Sequence, residues 1–280
     1  MAHIVGGITT SHVPAIGRAI ARHLQADPYW EPFFDGFPPV HDWLAKAKPD
    51  VAVVLYNDHG LNFFLDKMPA FAIGAAAEYR NADEGWGIPV VPPFRGEQSL
   101  SWHLIESLTR DEFDLTTCQE MLVDHAFTLP MALLWPGQDA WPVTVVPVAI
   151  NTVQFPLPSA ARCWKLGEAI GRALRAWDAD QRVVVVGTGG LSHQLDGERA
   201  GFINRDFDLA FMESLTGRDP QWATRFSIPE LVEKAGTQGI ELLMWLATRA
   251  ALGEQVSKVH ANYHIPISNT AAGLMVMGAA

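Results

Sequence analysis

Three histidines in this chain each stand just past a short β-type run: His12 after IVGGITT, His59 after VAVVLY and His193 after VVVVGTGG. A glutamate, Glu241, heads the apolar stretch Ile240–Leu246. In open α/β sheets the carboxyl ends of the strands converge on one crevice, where ligands bind. Imidazoles delivered repeatedly to that edge, with a carboxylate at hand, suggest a metal site of two histidines and one carboxylate. Non-haem Fe(II) suits that ligand set best among the common metals. The residue types alone leave open which two of the three imidazoles are ligands.

Each of these residues has a plainer reading. A single strand-end histidine is more often a hydrogen-bonded structural residue than a ligand. Two in matched positions, in Ser11-His12-Val13-Pro14 and Asn57-Asp58-His59-Gly60, weaken that reading, and His193 weakens it further. Glu241 could be a first-turn acid favoured by the helix dipole. In so apolar a setting, however, a carboxylate is costly unless it is paired or metal-bound. Asp124-His125 reads on its own as a helix N-cap with an incidental histidine beside it. His3, His23, His41, His103, His260 and His264 have no comparable placement and read as surface or packing residues.

The elements that must position these groups can be read from the apolar pattern. Ile4–Thr9, Val51–Tyr56, Val143–Ile150, Val183–Val186 and Gly273–Met277 read as strands. They are continuous rather than alternating runs, as expected when helices cover both faces of a sheet. Helical stretches lie at Val40–Ala47, Leu100–Leu108, Arg162–Trp177, Asn204–Leu215 and Ile240–Leu252. This order predicts a single-domain α/β sandwich over residues 1–280, with a central mixed or largely parallel sheet flanked by helices. Tyr79–Gly96, rich in Gly and Pro, reads as a long ordered excursion with Trp86 and Phe94 to bury.

Composition narrows the function classes. With 280 residues, 49% of them hydrophobic, the chain can bury a full core. A net charge of −11 with no basic cluster argues against nucleic acid as a partner. Cys118 and Cys163 form no CxxC pair, so two free thiols in a reducing cytosol are expected. The first residues lack the basic and apolar regions of a secretory signal. No apolar run approaches the roughly 20 residues a membrane span needs. A cytoplasmic protein is the expectation.

Familiar motifs fail on inspection. Gly187-Thr188-Gly189-Gly190 lacks the third glycine of a dinucleotide fingerprint. Gly190-Leu191-Ser192-His193-Gln194 has Gln where the hydrolase elbow needs its last glycine. There is neither a Walker A sequence nor HExxH. Two other classes remain compatible with the same ligands: a zinc-dependent hydrolase and a non-catalytic metal-binding subunit.

Segments spread along the whole chain resemble one family. They are TSHVPAIG (Thr10–Gly17), PDVAVVLYNDH (Pro49–His59), FAIG (Phe71–Gly74), ADEGWG (Ala82–Gly87) and DEFDLT (Asp111–Thr116). VDH (Val123–His125), GTGGLSHQL (Gly187–Leu195), RAGFIN (Arg199–Asn204), GIELLMWL (Gly239–Leu246) and YHIPISNTA (Tyr263–Ala271) complete them. Together they resemble the catalytic β subunits of protocatechuate 4,5-dioxygenases, within the class III extradiol ring-cleavage dioxygenases.

The resemblance implies Fe(II) held by His12, His59 and Glu241, an acid–base histidine at His193 and a second active-site histidine at His125. It implies substrate-carboxylate donors in His264–Thr270, at Ser268 and Asn269. Asn57 and Asp58 are expected to orient His59. The implied reaction inserts both atoms of O2 beside the diol of a carboxylated catechol. Protocatechuate would give 4-carboxy-2-hydroxymuconate semialdehyde; gallate and 3-O-methylgallate are alternative substrates. A small helical α subunit, in an α2β2 assembly, is the implied partner. Ala126, Phe127 and Ile267 depart from residues that relatives often carry, and are expected to reshape the aromatic pocket.

Overall fold

The computed structural model describes residues 1–267 and 269–279, with Ile267 described by its backbone alone. The chain runs through β1 (His3–Thr10), α1 (Pro14–Ala21), α2 (Glu31–Phe34), α3 (Pro38–Ala47) and β2 (Val51–Tyr56). It continues through β3 (Phe71–Gly74), β4 (Glu78–Asn81), β5 (Phe94–Arg95), α4 (Gln98–Arg110), β6 (Thr116–Cys118) and β7 (Leu122–Val123). Next come α5 (His125–Leu134), β8 (Thr144–Ile150), α6 (Ala160–Ala176), β9 (Arg182–Thr188) and α7 (Arg205–Thr216). The last elements are α8 (Ile228–Ala235), α9 (Leu242–Ala251), β10 (Val256–Ile267) and β11 (Thr270–Ala279).

Among the described residues, eight strands form one sheet in the order β10-β11-β1-β9-β2-β8-β3-β6. Its centre, β1-β9-β2-β8, is parallel throughout, while β11 and β3 pair antiparallel at its flanks. This is the α/β architecture, with a mixed and largely parallel sheet, that the apolar runs predict. In β2 and β9 successive residues alternate between two cores. Val53, Leu55, Val183 and Val185 pack with Leu104, Leu166, Ile170 and Leu246 on one side. Val54, Val184 and Val186 pack with Ile16, Leu44 and Met131 on the other. Apolar surface on both faces is why these strands read as unbroken Val-rich runs.

The register sets the site. Thr10 pairs with Thr188, and Leu55 with Gly187, so β1, β9 and β2 end level with one another. The loops carrying His12, His193 and His59 therefore leave the sheet side by side. Helix α9 lies close against α6 because Gly167 and Gly171 leave room for the backbone of Ala247 and Ala251. That packing fixes the helix whose N-terminal end carries Glu241.

The C-terminal apolar run forms strand β11, and β10, a twelve-residue edge strand, escaped the apolar pattern. The excursion between β4 and β5 is anchored by Phe94, which is fully buried. Trp86 is not buried as expected: it is 49% exposed, in a turn between two glycines of positive φ.

Candidate active site and metal centre

Glu241 ends a 3₁₀ turn, Gly239–Glu241, that feeds directly into α9. Its Oε2 accepts a 2.6 Å hydrogen bond from the backbone N–H of Gly190, in the loop after β9. That bond turns Oε1 toward the other strand ends, where it lies 3.2 Å from His12 Nε2 and 3.6 Å from His59 Nε2. Burial would raise this carboxyl, but electrostatic and hydrogen-bonding contacts with His12 and His59 hold it well below the usual range. It is an ionised, buried acceptor.

Both histidines are oriented from behind. His12 Nδ1 lies 3.1 Å from Thr188 Oγ1 at the end of β9, which leaves Nε2 for Glu241. Burial draws His12 below its usual value against the opposing pull of Glu241, so the imidazole is neutral at pH 7. His59 Nδ1 donates to Asp124 Oδ2 at 3.0 Å, and its backbone N–H donates to the same oxygen at 2.9 Å. Burial opposes protonation of His59, but hydrogen bonds to Asp124 and Glu241 raise it to about 10. The partner that orients His59 is thus Asp124, not Asp58. Asp58 instead closes its own turn on the N–H groups of Leu61, Asn62 and Phe63. Asn57 stands at the opposite side of the ring, its Nδ2 3.1 Å from His59 Nε2 and 3.2 Å from Glu241 Oε1.

His193 and His125 complete the wall. His193 Nδ1 lies 2.7 Å from the Leu191 carbonyl, which can only accept, so Nδ1 carries a proton and Nε2 is the nitrogen turned to the cavity side. That Nε2 is 4.0 Å from Glu241 Oε2. His125 opens α5, and its Nδ1 lies 2.7 Å from Glu84 Oε1. Its ring stacks on His59 at 4.3 Å and stands edge-on to His12 at 5.6 Å. Asp124 also caps α5 through Ala126 N–H, as the plainer reading of Asp124 holds. Asp124 and Glu84 are the site residues that sequence reasoning missed as partners. The available signals were an N-cap acid beside a histidine and an acid inside the glycine-flanked ADEGWG segment.

His12, His59, His125, His193 and Glu241 line one cavity of about 300 Å³, in the range of small-molecule sites. Asn269 and Thr270 line it as well, together with Arg18 and Trp86. Ser268 lies outside the described residues. Phe127 does not reach the cavity: it is fully buried, packed against Tyr56 and Phe94 with ring centroids 5.4 and 5.1 Å away. Ala126 is buried too, so neither departure shapes the pocket wall directly. The side chain of Ile267 is not among the described groups. His41, His103 and His260 hydrogen-bond to backbone carbonyls of Leu133, Ala173 and Gly36, as packing residues do.

The donor set fits a divalent transition metal. Ligands at about 2.0–2.2 Å in neighbouring positions of an octahedral ion stand roughly 3 Å apart. Glu241 Oε1 meets that spacing closely with His12 and less closely with His59. Among the described residues, the three groups along this wall whose ligand atoms all lie within 4.8 Å of one another are His12, His59 and His125. Glu84, Asp124 and His125 form a second such group. There the carboxylate oxygens are already engaged by His59, His125 and Ala126.

A family model described as the catalytic LigB subunit of aromatic ring-opening dioxygenase matches residues 6–275. Gallate dioxygenase of Pseudomonas putida KT2440 is 39% identical over 195 residues, 70% of this chain but 57% of that protein's length. A 2,3-dihydroxyphenylpropionate/2,3-dihydroxicinnamic acid 1,2-dioxygenase of Photorhabdus laumondii is 28% identical, covering 97% of this chain and 96% of that one. The fold matches that of an uncharacterized Escherichia coli K12 protein with a TM-score of 0.59 at 13% identity, over 97% of this chain and 99% of that one. No helix among the described residues is long and apolar enough to cross a membrane. With a family match along nearly its whole length, the chain belongs to the catalytic LigB subunits of aromatic ring-opening dioxygenases.

Proposed function

We propose that the chain, acting as one catalytic domain over residues 1–280, is an Fe(II)-dependent extradiol dioxygenase that opens the ring of a carboxylated catechol. The observation that carries this reading is the approach of His12 Nε2 and His59 Nε2 to one oxygen of Glu241, beside the Nε2 of His193. His12, His59 and Glu241 are the proposed iron ligands: two imidazoles and one carboxylate, each held from behind by another group. Fe(II) bound there supplies the redox chemistry by which O2 reacts with a catechol. His193, fixed by the Leu191 carbonyl, takes a catechol hydroxyl proton on Nε2 and returns it as the ring opens. His125 stabilises charge developing on oxygen from the opposite wall.

The substrate reading rests on Arg18. Among the described residues it is the only Arg or Lys lining the cavity, in a protein whose overall field repels anions. A substrate carboxylate is the anion it fits, with Asn269 and Ser268 proposed as further donors. Protocatechuate, cleaved between carbons 4 and 5 to 4-carboxy-2-hydroxymuconate semialdehyde, is the substrate proposed. Gallate is the second reading, favoured by the similarity to gallate dioxygenase. A small helical α subunit in an α2β2 assembly is the proposed partner. Exposed Trp86 and Leu195 at the cavity mouth support it, being 49% and 54% open to solvent. Two free, buried thiols support a cytoplasmic setting.

The test loads the protein with Fe(II) anaerobically, then supplies air with protocatechuate, gallate, 3-O-methylgallate or 2,3-dihydroxyphenylpropionate. Oxygen uptake equal to the ring-opened product, with the highest kcat/KM on protocatechuate, is expected. A higher value on gallate selects the second reading. No oxygen uptake with any catechol overturns both.

A further inference from the structure

His125 is held by a second carboxylate that none of the roles above uses. Helix α5 starts at His125, and the first amides of a helix have no partner inside it. Asp124 serves the amide of Ala126. The amide of His125 is served by Glu84, whose Oε2 accepts it at 2.7 Å. The other oxygen of the same carboxylate, Oε1, accepts from His125 Nδ1, also at 2.7 Å. Glu84 therefore grips backbone and ring together, so the ring cannot turn about its own axis without losing one contact. Its carboxylate requires a proton on Nδ1, so in the neutral ring Nε2, on the far edge, is the acceptor.

Glu84 reaches this position from the excursion between β4 and β5, 41 residues before His125. Its turn is tight: Asp83 Oδ1 accepts from Gly85 N–H at 2.9 Å, and Gly85 and Gly87 have φ of +71° and +68°. The turn sends Glu84 inward, its side chain 16% exposed, while Trp86 stays at the cavity mouth. One short segment thus sets a histidine of the site and furnishes an aromatic wall for the substrate.

We propose that Glu84 is a positioning residue for ring opening: it fixes the orientation and tautomer of His125 so that Nε2 points at the reacting oxygens. The proposal rests on the reading of this cavity as the ring-opening site. Glu84 is not among the residues lining the cavity, and both its oxygens hydrogen-bond to His125, so the role proposed for it acts through that ring. The competing view is that Glu84 merely closes a turn onto a helix N-terminus, where any anion is favourable. The two views differ in whether the effect of Glu84 passes through the His125 ring.

The experiment measures kcat, KM and iron content for Glu84→Gln, His125→Phe and the double variant, against the wild-type holoenzyme. Gln offers one acceptor where two are needed, so kcat should fall about 10- to 100-fold, the usual loss for removing such a partner. KM and iron content should stay within about twofold, because Trp86, His12, His59 and Glu241 are untouched. In the His125→Phe background the same change should cost less than twofold, as expected when two residues act as a unit. Wild-type kcat in Glu84→Gln overturns the proposal, as does an undiminished loss in the His125→Phe background. If Glu84→Gln folds poorly, Glu84→Asp, too short to make both contacts, is measured in its place. Independently of activity, ¹⁵N NMR of the His125 ring in the metal-free protein should show the proton on Nδ1 in wild type and a tautomer mixture in the variant. An unchanged tautomer also overturns it. Failure of the wild-type enzyme to open any catechol would instead refute the underlying function.

Discussion

Asp124 Oδ2 accepts hydrogen bonds from both the backbone N–H and the ring Nδ1 of His59, at 2.9 and 3.0 Å, while its other oxygen caps helix α5. One buried carboxylate thus ties the loop after β2 to the helix that begins with His125. It keeps a proton on His59 Nδ1, so the proton that His59 gives up to become a ligand is the one on Nε2, the nitrogen that faces Glu241.

Asp124→Ala should therefore fail in two ways. Loss of the cap should cost about 1 kcal/mol of stability. Loss of the group behind His59 should weaken iron binding about 10- to 100-fold. Asp124→Asn should keep most of the cap and lose most of the iron affinity. Thermal melting and metal titration of both variants separate the two effects; unchanged iron affinity in either would contradict the orienting role.

Metal uptake should release protons. In the metal-free protein His59 is raised to about 10, so it is protonated at pH 7 and must lose that proton to become a ligand. About one proton should be released per ion at pH 7, and apparent affinity should rise roughly tenfold per pH unit up to about pH 10. The same shift has a stability sign. Because the folded value lies above the ordinary one, the stabilisation is full below about pH 6.5 and is lost as pH rises through 10. Metal-free protein should melt higher at pH 6.5 than at pH 10.5, and calorimetry in buffers of differing ionisation heat counts the protons. Uptake without proton release would contradict the pairing of His59 with Asp124 and Glu241.

Gly189→Ala should damage the site without replacing a ligand. An added Cβ would stand 2.7 Å from Glu241 Cβ, at a φ of +146° that side chains rarely adopt. The expected cost is about 1–3 kcal/mol from backbone strain, plus weaker iron binding as the Gly190 N–H moves off Glu241 Oε2. Denaturant unfolding and iron titration check it. A variant with wild-type stability and iron content would show that this loop does not hold Glu241.

What was legible in the sequence follows from how each feature is encoded. Strands β2 and β9 announce themselves because both faces are buried, which forces unbroken Val-rich runs. Strand β10 does not, since it lies at the sheet edge with Lys258, His260 and Asn262 along it and no apolar run to detect. His12, His59 and His193 could be found because a parallel sheet ends its strands together, so position after a strand already implies convergence. Asp124 and Glu84 act on histidines 65 and 41 residues away, and only tertiary packing brings them there. Phe127 shows the reverse error. Its departure from residues that relatives often carry suggests a reshaped pocket, but residues two apart on a helix face different sides, and it packs into the core.

The most direct test of the account is the iron content of Glu241→Gln after anaerobic loading, read beside wild type by metal analysis. Glu241 Oε1 is approached by the Nε2 of both proposed histidine ligands, and an amide is a far weaker ligand than a carboxylate. The account predicts about one iron per wild-type chain and less than about a tenth of that in the folded variant. Full iron occupancy in Glu241→Gln would contradict it, and would move the metal to the histidines alone.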